Sequence, residues 1–176
     1  MGRSGDGLFY FLYHIYGERK ILDQIPITIE GYAALKEELQ RLKTIERPQN
    51  IKAIEIARAH GDLSENAEFD AAKDRQSFIE GRIGELGYKI ASAKVIDPAK
   101  VSKDRVRFAA RVVIENLDSG EEVEYMIVGQ EESDIRKGKI SVSSPLGMAL
   151  IGKQPGDEIV IQAPGGKRNY EIVEIR

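Results

Sequence analysis

Two runs of apolar residues at helical spacing, broken once by a short acidic stretch, constrain this chain more than any other feature. In the first run Ile29, Leu35, Leu39, Leu42, Ile51, Ile54 and Ala57 fall mostly three or four apart, with charged residues between them. In the second, Ala67, Ala71, Phe78, Ile79, Ile83, Leu86, Ile90 and Ala93 continue the pattern. An arm of roughly 30 residues spans about 45 Å as a helix. So short a connection makes the arms antiparallel neighbours, and their apolar seams predict a two-stranded antiparallel coiled coil. Pro48 interrupts the first run, and proline is tolerated in a helix chiefly where one opens. A kink or a fresh helical start is therefore expected near Arg47–Gln49. Gly81, Gly84 and Gly87 lie in the second arm, each costing about 1 kcal/mol relative to Ala. They make that stretch the weakest of the arm unless a neighbour needs the space.

The break itself, Gly61 through Asp70, puts carboxylates at the far end of the hairpin. Asp62 is a suitable N-cap for the second arm, and Glu65 three residues on gives something close to a capping box. Early acidic residues also suit the positive end of a helix dipole. The same two carboxylates, three apart at a helix start, can jointly hold a divalent ion. Magnesium fits that arrangement, because it keeps most of its waters and takes one or two protein carboxylates while a partner's phosphates fill other positions. Two carboxylates on a projecting tip would hold it well only when a second site supplied the remaining ligands. Spacing alone leaves the capping and metal readings both open.

After Val95-Ile96-Asp97-Pro98 the helical signals stop. Val106–Ile114, Val123–Val128, Ile140–Val142, Glu158–Gln162 and Tyr170–Ile175 are short, rich in β-branched residues and mostly alternating, which predicts strands. Asp118-Ser119-Gly120 and Pro164-Gly165-Gly166 read as hairpin turns. Ser144 before Pro145 reads as the N-cap and first residue of a short helix reaching about Ile151. The fold class is α+β: a helical hairpin over 25–97 with its acidic tip at 61–70, then a small antiparallel sheet with one short helix over 101–176.

Charge narrows the function. With 26 Lys and Arg against 29 Asp and Glu the chain is acidic, a poor binder of free nucleic acid. Without cysteine it has neither disulfides nor thiolate metal sites, which suits a reducing cytoplasm. His14 and His60 are not spaced as a ligand pair. Met1–Gln24 carries the aromatic stretch Leu8-Phe9-Tyr10-Phe11-Leu12-Tyr13, too short to span a membrane and without a signal-peptide cleavage pattern. It is expected to be an upstream start or a poorly ordered extension, the alternative being an added element on the base of the coiled coil.

From Ile25 to Arg176 the sequence resembles the bacterial transcript-cleavage elongation factors of the GreA/GreB family. The resemblance is carried by Pro26-Ile27-Thr28 with Gly31 and Leu35 through Leu39, by Arg47-Pro48, and by the run from Glu55 to Phe69 containing Gly61-Asp62-Leu63-Ser64-Glu65-Asn66-Ala67-Glu68. Further matches are Glu80-Gly81-Arg82-Ile83, Val95-Ile96-Asp97, and Ser144-Pro145-Leu146 leading to Leu150-Ile151-Gly152-Lys153.

The resemblance implies an FKBP-like second domain; fold alone gives no ground for prolyl isomerase activity. It implies a monomeric cytoplasmic factor that inserts its coiled coil through the secondary channel of RNA polymerase. Asp62 and Glu65 would be carboxylates lent to the polymerase, helping to hold a shared magnesium ion at which the backtracked RNA 3′ end is cut. The factor would then be no enzyme on its own. Asn66, Glu68 and Phe69 are implied contacts beside the tip, with helix-tip packing the plainer reading of Phe69. Ser143, Ser144 and Pro145 are implied contacts at the channel rim, with helix capping the plainer reading. Lys73, Arg75, Arg82 and Lys89 are diluted by Asp70, Asp74, Glu80 and Glu85, which reads as a solvated mixed-charge face and resembles GreA more than GreB, favouring short backtracked RNAs. The alternative function is a channel-binding inhibitor that does not promote cleavage, against which the presence of both Asp62 and Glu65 argues. A stand-alone isomerase or binding module would leave the tip unexplained.

Overall fold

The computed structural model describes residues 24–59, 66–163 and 166–176, so the expectations for Met1–Asp23 and the Pro164-Gly165 part of the last turn lie outside the described residues. The chain divides into two compact units, one of Tyr32–Ala93 and one that joins the segment up to Gly31 with Lys94–Arg176.

The helical unit is built on the two predicted arms. Strand β1 (Ile25–Thr28) leads into helix α1 (Ile29–Arg41), a π-helical turn (Leu42–Glu46) and helix α2 (Arg47–Ala59); the returning arm is the single helix α3 (Ala67–Ala91). The break falls where Pro48 demands it. Proline lacks an N–H and its ring collides with the carbonyl four residues back. The chain widens into a π turn ahead of it, the Arg47 N–H bonds the Leu42 carbonyl, and a new helix opens with Pro48 as its second residue.

Leu35, Leu42, Ile54 and Ala57 are buried on the outgoing arm and Ala72, Ile79 and Leu86 on the returning one. The returning set repeats every seven residues, the period of a coiled-coil seam. The expected seam needs correction at neighbouring positions. Ile29, Ile51 and Ala67 are exposed, and of the adjacent pairs Ala71–Ala72 and Phe78–Ile79 the seven-residue period keeps only Ala72 and Ile79 inside. Among the described residues one seam position is polar: Asn50 is buried, its Nδ2 donates to the Ala72 carbonyl across the seam at 3.0 Å, and its Oδ1 finds no partner among them. Ion pairs flank the seam. The Arg82 guanidinium bonds both Glu38 oxygens, at 2.8 and 3.1 Å, and Arg47 pairs with Glu80.

In the other unit β1 pairs with β2 (Ala93–Ile96) in a two-stranded sheet. Thr28 caps α1, its hydroxyl accepting from the Gly31 N–H at 3.0 Å. The five-stranded sheet contains β3 (Arg111–Asn116), β4 (Glu121–Val128), β5 (Lys139–Ser141), β6 (Glu158–Ala163) and β7 (Gly166–Ile175), in the spatial order β5-β4-β3-β7-β6. Its pairs are antiparallel except that β5 lies parallel to β4, a difference from the all-antiparallel expectation.

The first predicted strand is also shorter than expected. Ala109 adopts a left-handed φ of 66°, which ends extended structure, so 106–110 is irregular and β3 begins at Arg111. Successive β4 residues serve opposite faces. Ile127 joins Val112, Ile114, Ile172 and Leu150 in the main core, while Met126 and Val128 pack with Phe108 on the other side. Leu150 comes from the short helix α4 (Pro145–Leu150), which covers the main core.

Candidate functional site

The free end of the hairpin is closed by Asn66. Its backbone is non-helical and its Oδ1 accepts the Phe69 N–H at 3.1 Å, so it is the N-cap of α3. This corrects the expectation that Asp62 fills that place. The same side chain donates through Nδ2 to the Ala57 carbonyl at 2.8 Å. That carbonyl belongs to the last turn of α2, where backbone oxygens have no partner within the helix. One amide thus caps the start of one arm and the end of the other, and draws their ends together.

Arg58 lays its guanidinium 5.6 Å from the centre of the Phe69 ring, a cation–π contact across the arms. Phe69 is half-buried, in keeping with the packing reading, while Glu68 is exposed in the first turn of α3, where its charge suits the helix dipole. Asp62 and Glu65, between Ala59 and Asn66, lie outside the described residues, as does His60. Among the described residues no three His, Cys, Asp or Glu side chains gather into a metal site. Sequence reading passed over Asn50 and Arg58; the signal available for Asn50 was its place seven residues before the seam position Ala57.

The basic residues of α3 are tied up as the mixed-charge reading expects. Arg75 reaches Glu46 at 3.4 Å, Arg82 bonds Glu38 and Glu85, and Lys89 pairs with Glu85. Hydrogen bonds donated to Glu38 and then Glu85 raise the Arg82 pKa above its ordinary value, and those received from Lys89 and then Arg82 hold the Glu85 carboxyl below its own. Lys73 donates to Gln76 at 3.0 Å.

In the sheet unit Ser144 is the N-cap of α4, accepting the Gly147 N–H at 3.0 Å, with Pro145 first in the helix. Its hydroxyl also donates to the Ser141 carbonyl at 2.7 Å, and the Ser141 and Ser143 hydroxyls are 2.7 Å apart. A Cβ on Gly147 would overlap the Ser141 carbonyl, so only glycine lets the helix start lie this close to β5. Ser143 and Pro145 remain exposed on the outside of this knot.

Two family models match the chain: "Transcription elongation factor, N-terminal" over residues 25–95 and "Transcription elongation factor, GreA/GreB, C-term" over 101–176. The chain belongs to the GreA/GreB family of transcription elongation factors. Among its relatives, the transcription elongation factor GreA of Thermodesulfovibrio yellowstonii is 57% identical over 153 residues, 87% of this chain and 97% of that one. GreA of Alkalilimnicola ehrlichii is 55% identical over 156 residues, 88% of this chain and 99% of that one. Among solved structures, GreA factor homolog 1 of Thermus thermophilus is 26% identical, covering 87% of this chain and 99% of that one, with a TM-score of 0.41. No helix among the described residues is long and apolar enough to cross a membrane.

Proposed function

We propose that this factor, acting as a monomer in the bacterial cytoplasm, enters the secondary channel of RNA polymerase with the α2–α3 end leading. There it stimulates the polymerase's own hydrolysis of backtracked RNA near its 3′ end. What carries the reading is the family match over both units, which takes in Asp62 and Glu65, together with a hairpin whose two arm ends are drawn together by Asn66. Those carboxylates belong to a connection of only six residues, His60–Glu65. Two hard oxygen donors suit magnesium, and they would hold it with ligands supplied by the polymerase and the RNA phosphate. The bound ion would activate and orient a water for in-line attack. The factor's own residues lend charge and fix its place, so the isolated chain is no enzyme. Ser143 and Pro145, exposed beside the α4 cap, are proposed rim contacts, and Glu68 and Phe69 contacts near the tip.

Stalled, backtracked elongation complexes with labelled RNA test this directly. The intact factor should shorten the RNA. Asp62→Asn and Glu65→Gln should each reduce stimulation by at least about tenfold, the low end of what losing even an outer-shell metal partner costs. Polymerase binding should persist, since neither change shortens the arms. Full stimulation by both variants at limiting magnesium would refute the metal role, and channel blockage without RNA shortening would make the factor an inhibitor.

A further inference from the structure

We propose that Asn50 and Asn66 are positioning residues, a reciprocal pair of cross-arm hydrogen bonds that fixes the axial register of α2 against α3 and so the placement of Ala59 relative to Asn66, the two residues that the connection joins. Each amide comes from one arm and donates to a backbone carbonyl of the other. Asn50 Nδ2 reaches the Ala72 carbonyl at 3.0 Å, and Asn66 Nδ2 reaches the Ala57 carbonyl at 2.8 Å. Both acceptors are on alanine, and both alanines are buried in the seam, where a small side chain leaves the backbone oxygen within reach.

The other buried seam residues described, among them Leu42, Ile54, Ile79 and Leu86, are apolar. Apolar contact is non-directional, and a seam repeating every seven residues presents similar holes after a slip. A hydrogen bond to one carbonyl does not survive such a slip. Asn50 also carries a cost, since its buried Oδ1 is unpaired among the described residues, whereas an apolar side chain there would bring no such acceptor. A buried polar residue that lowers stability while specifying alignment is the best-attested use of asparagine in a coiled-coil seam. Here the alignment matters at the adjoining tip. A slip of seven residues moves an arm by about 10 Å, whereas a catalytic constellation has to be held to within about 0.5 Å. The consequence for cleavage rests on the role proposed above for Asp62 and Glu65; the register itself does not.

The chain has no cysteine, so spin labels can be placed at will. Ala53→Cys and Ala71→Cys, both at exposed positions on opposite arms, report the inter-arm distance in the full chain by pulsed dipolar spectroscopy. The parent should give one narrow distance. Asn50→Leu should melt at a higher temperature yet show a broadened or displaced distance distribution, and its cleavage stimulation should fall several-fold at unchanged polymerase affinity. Asn66→Ser, which retains a hydroxyl able to cap α3 but no donor for Ala57, should broaden the distribution in the same way. An unchanged single distance in both variants would overturn the register clamp whatever happens to cleavage. Full activity of Asp62→Asn and Glu65→Gln would instead overturn the tip reading and leave the distance result standing.

Discussion

The Glu132 carboxylate accepts from both the backbone N–H and the hydroxyl of Thr28, 104 positions earlier in the chain, the N–H at 3.1 Å. Thr28 is 1% exposed, so water cannot replace this acceptor. The carboxylate lies so close to Gly31 that a Cβ there would overlap it. Thr28 in turn caps α1, which makes Glu132 the outer support of a helix start. Glu132→Ala should destabilise the protein by about 1–3 kcal/mol, the cost of stranding a buried donor. Glu132→Gln, which keeps one acceptor oxygen, should lose less. Chemical denaturation of the two variants checks the order, and equal losses would show that the carboxylate's two-fold acceptance does not matter.

The glycines of α3 are open to improvement. A Cβ added at Gly81, Gly84 or Gly87 meets nothing within 4 Å, so packing does not require the missing side chains. Glycine in a helix interior costs about 1 kcal/mol relative to alanine through the freedom it loses on folding. Gly84→Ala should therefore raise the melting temperature by about 2–4 °C, the usual response of a chain this size to that gain. No rise would mean that the α3 backbone departs from helix there in solution.

Capping and docking can be separated at α4. Ser144→Ala removes the acceptor for the Gly147 N–H and should cost about 1 kcal/mol of stability. Ser143→Arg lies outside the cap; it gives up the hydroxyl contact with Ser141 but keeps the backbone N–H bond to that hydroxyl, and should cost no more than about 1 kcal/mol. If this edge meets the polymerase rim, Ser143→Arg should weaken binding at least several-fold, read by competition with the unmodified factor. Unchanged binding would remove Ser143–Pro145 from the interface.

The parts of this fold that were legible in the sequence are those written by local physics. Helical spacing marks both arms, Pro48 marks the break that the π turn absorbs, and Ser144-Pro145 marks a helix start. What was not legible depends on distant partners. Asp62 and Asn66 are equally good caps by residue type; the Ala57 carbonyl on the opposite arm gives Asn66 a second bond, and no local pattern announces that. Phe78 and Ile79 are adjacent and both apolar, and only the seven-residue register through Ala72 and Leu86 decides that Ile79 is buried. The pairing of β1 with β2 joins two four-residue strands from the two ends of the helical segment, too short to declare themselves.

The pair formed by Glu30 and Lys139 gives a pH dependence whose sign can be worked out. The Glu30 carboxylate lies 2.9 Å from the Lys139 ammonium. The hydrogen bond from Lys139, then its charge, hold the Glu30 carboxyl below its ordinary 4.5, against a small opposing effect of burial. A carboxyl whose pKa is lower folded than unfolded contributes stability in full above the unfolded value and loses it as pH falls through the folded one. Glu30 is 75% exposed, so solvent screening keeps the contribution below about 1 kcal/mol. Lys139→Met retains the packed stem of a side chain only 19% exposed and removes its charge. The variant should therefore be slightly less stable than the parent at pH 7, and the difference should shrink once the pH drops below about 4, where a free carboxyl is already mostly protonated. Denaturation curves for both proteins at pH 7 and pH 3 measure it. A difference that stayed the same at both pH values would place the loss in the packing of the Lys139 stem instead of in its charge.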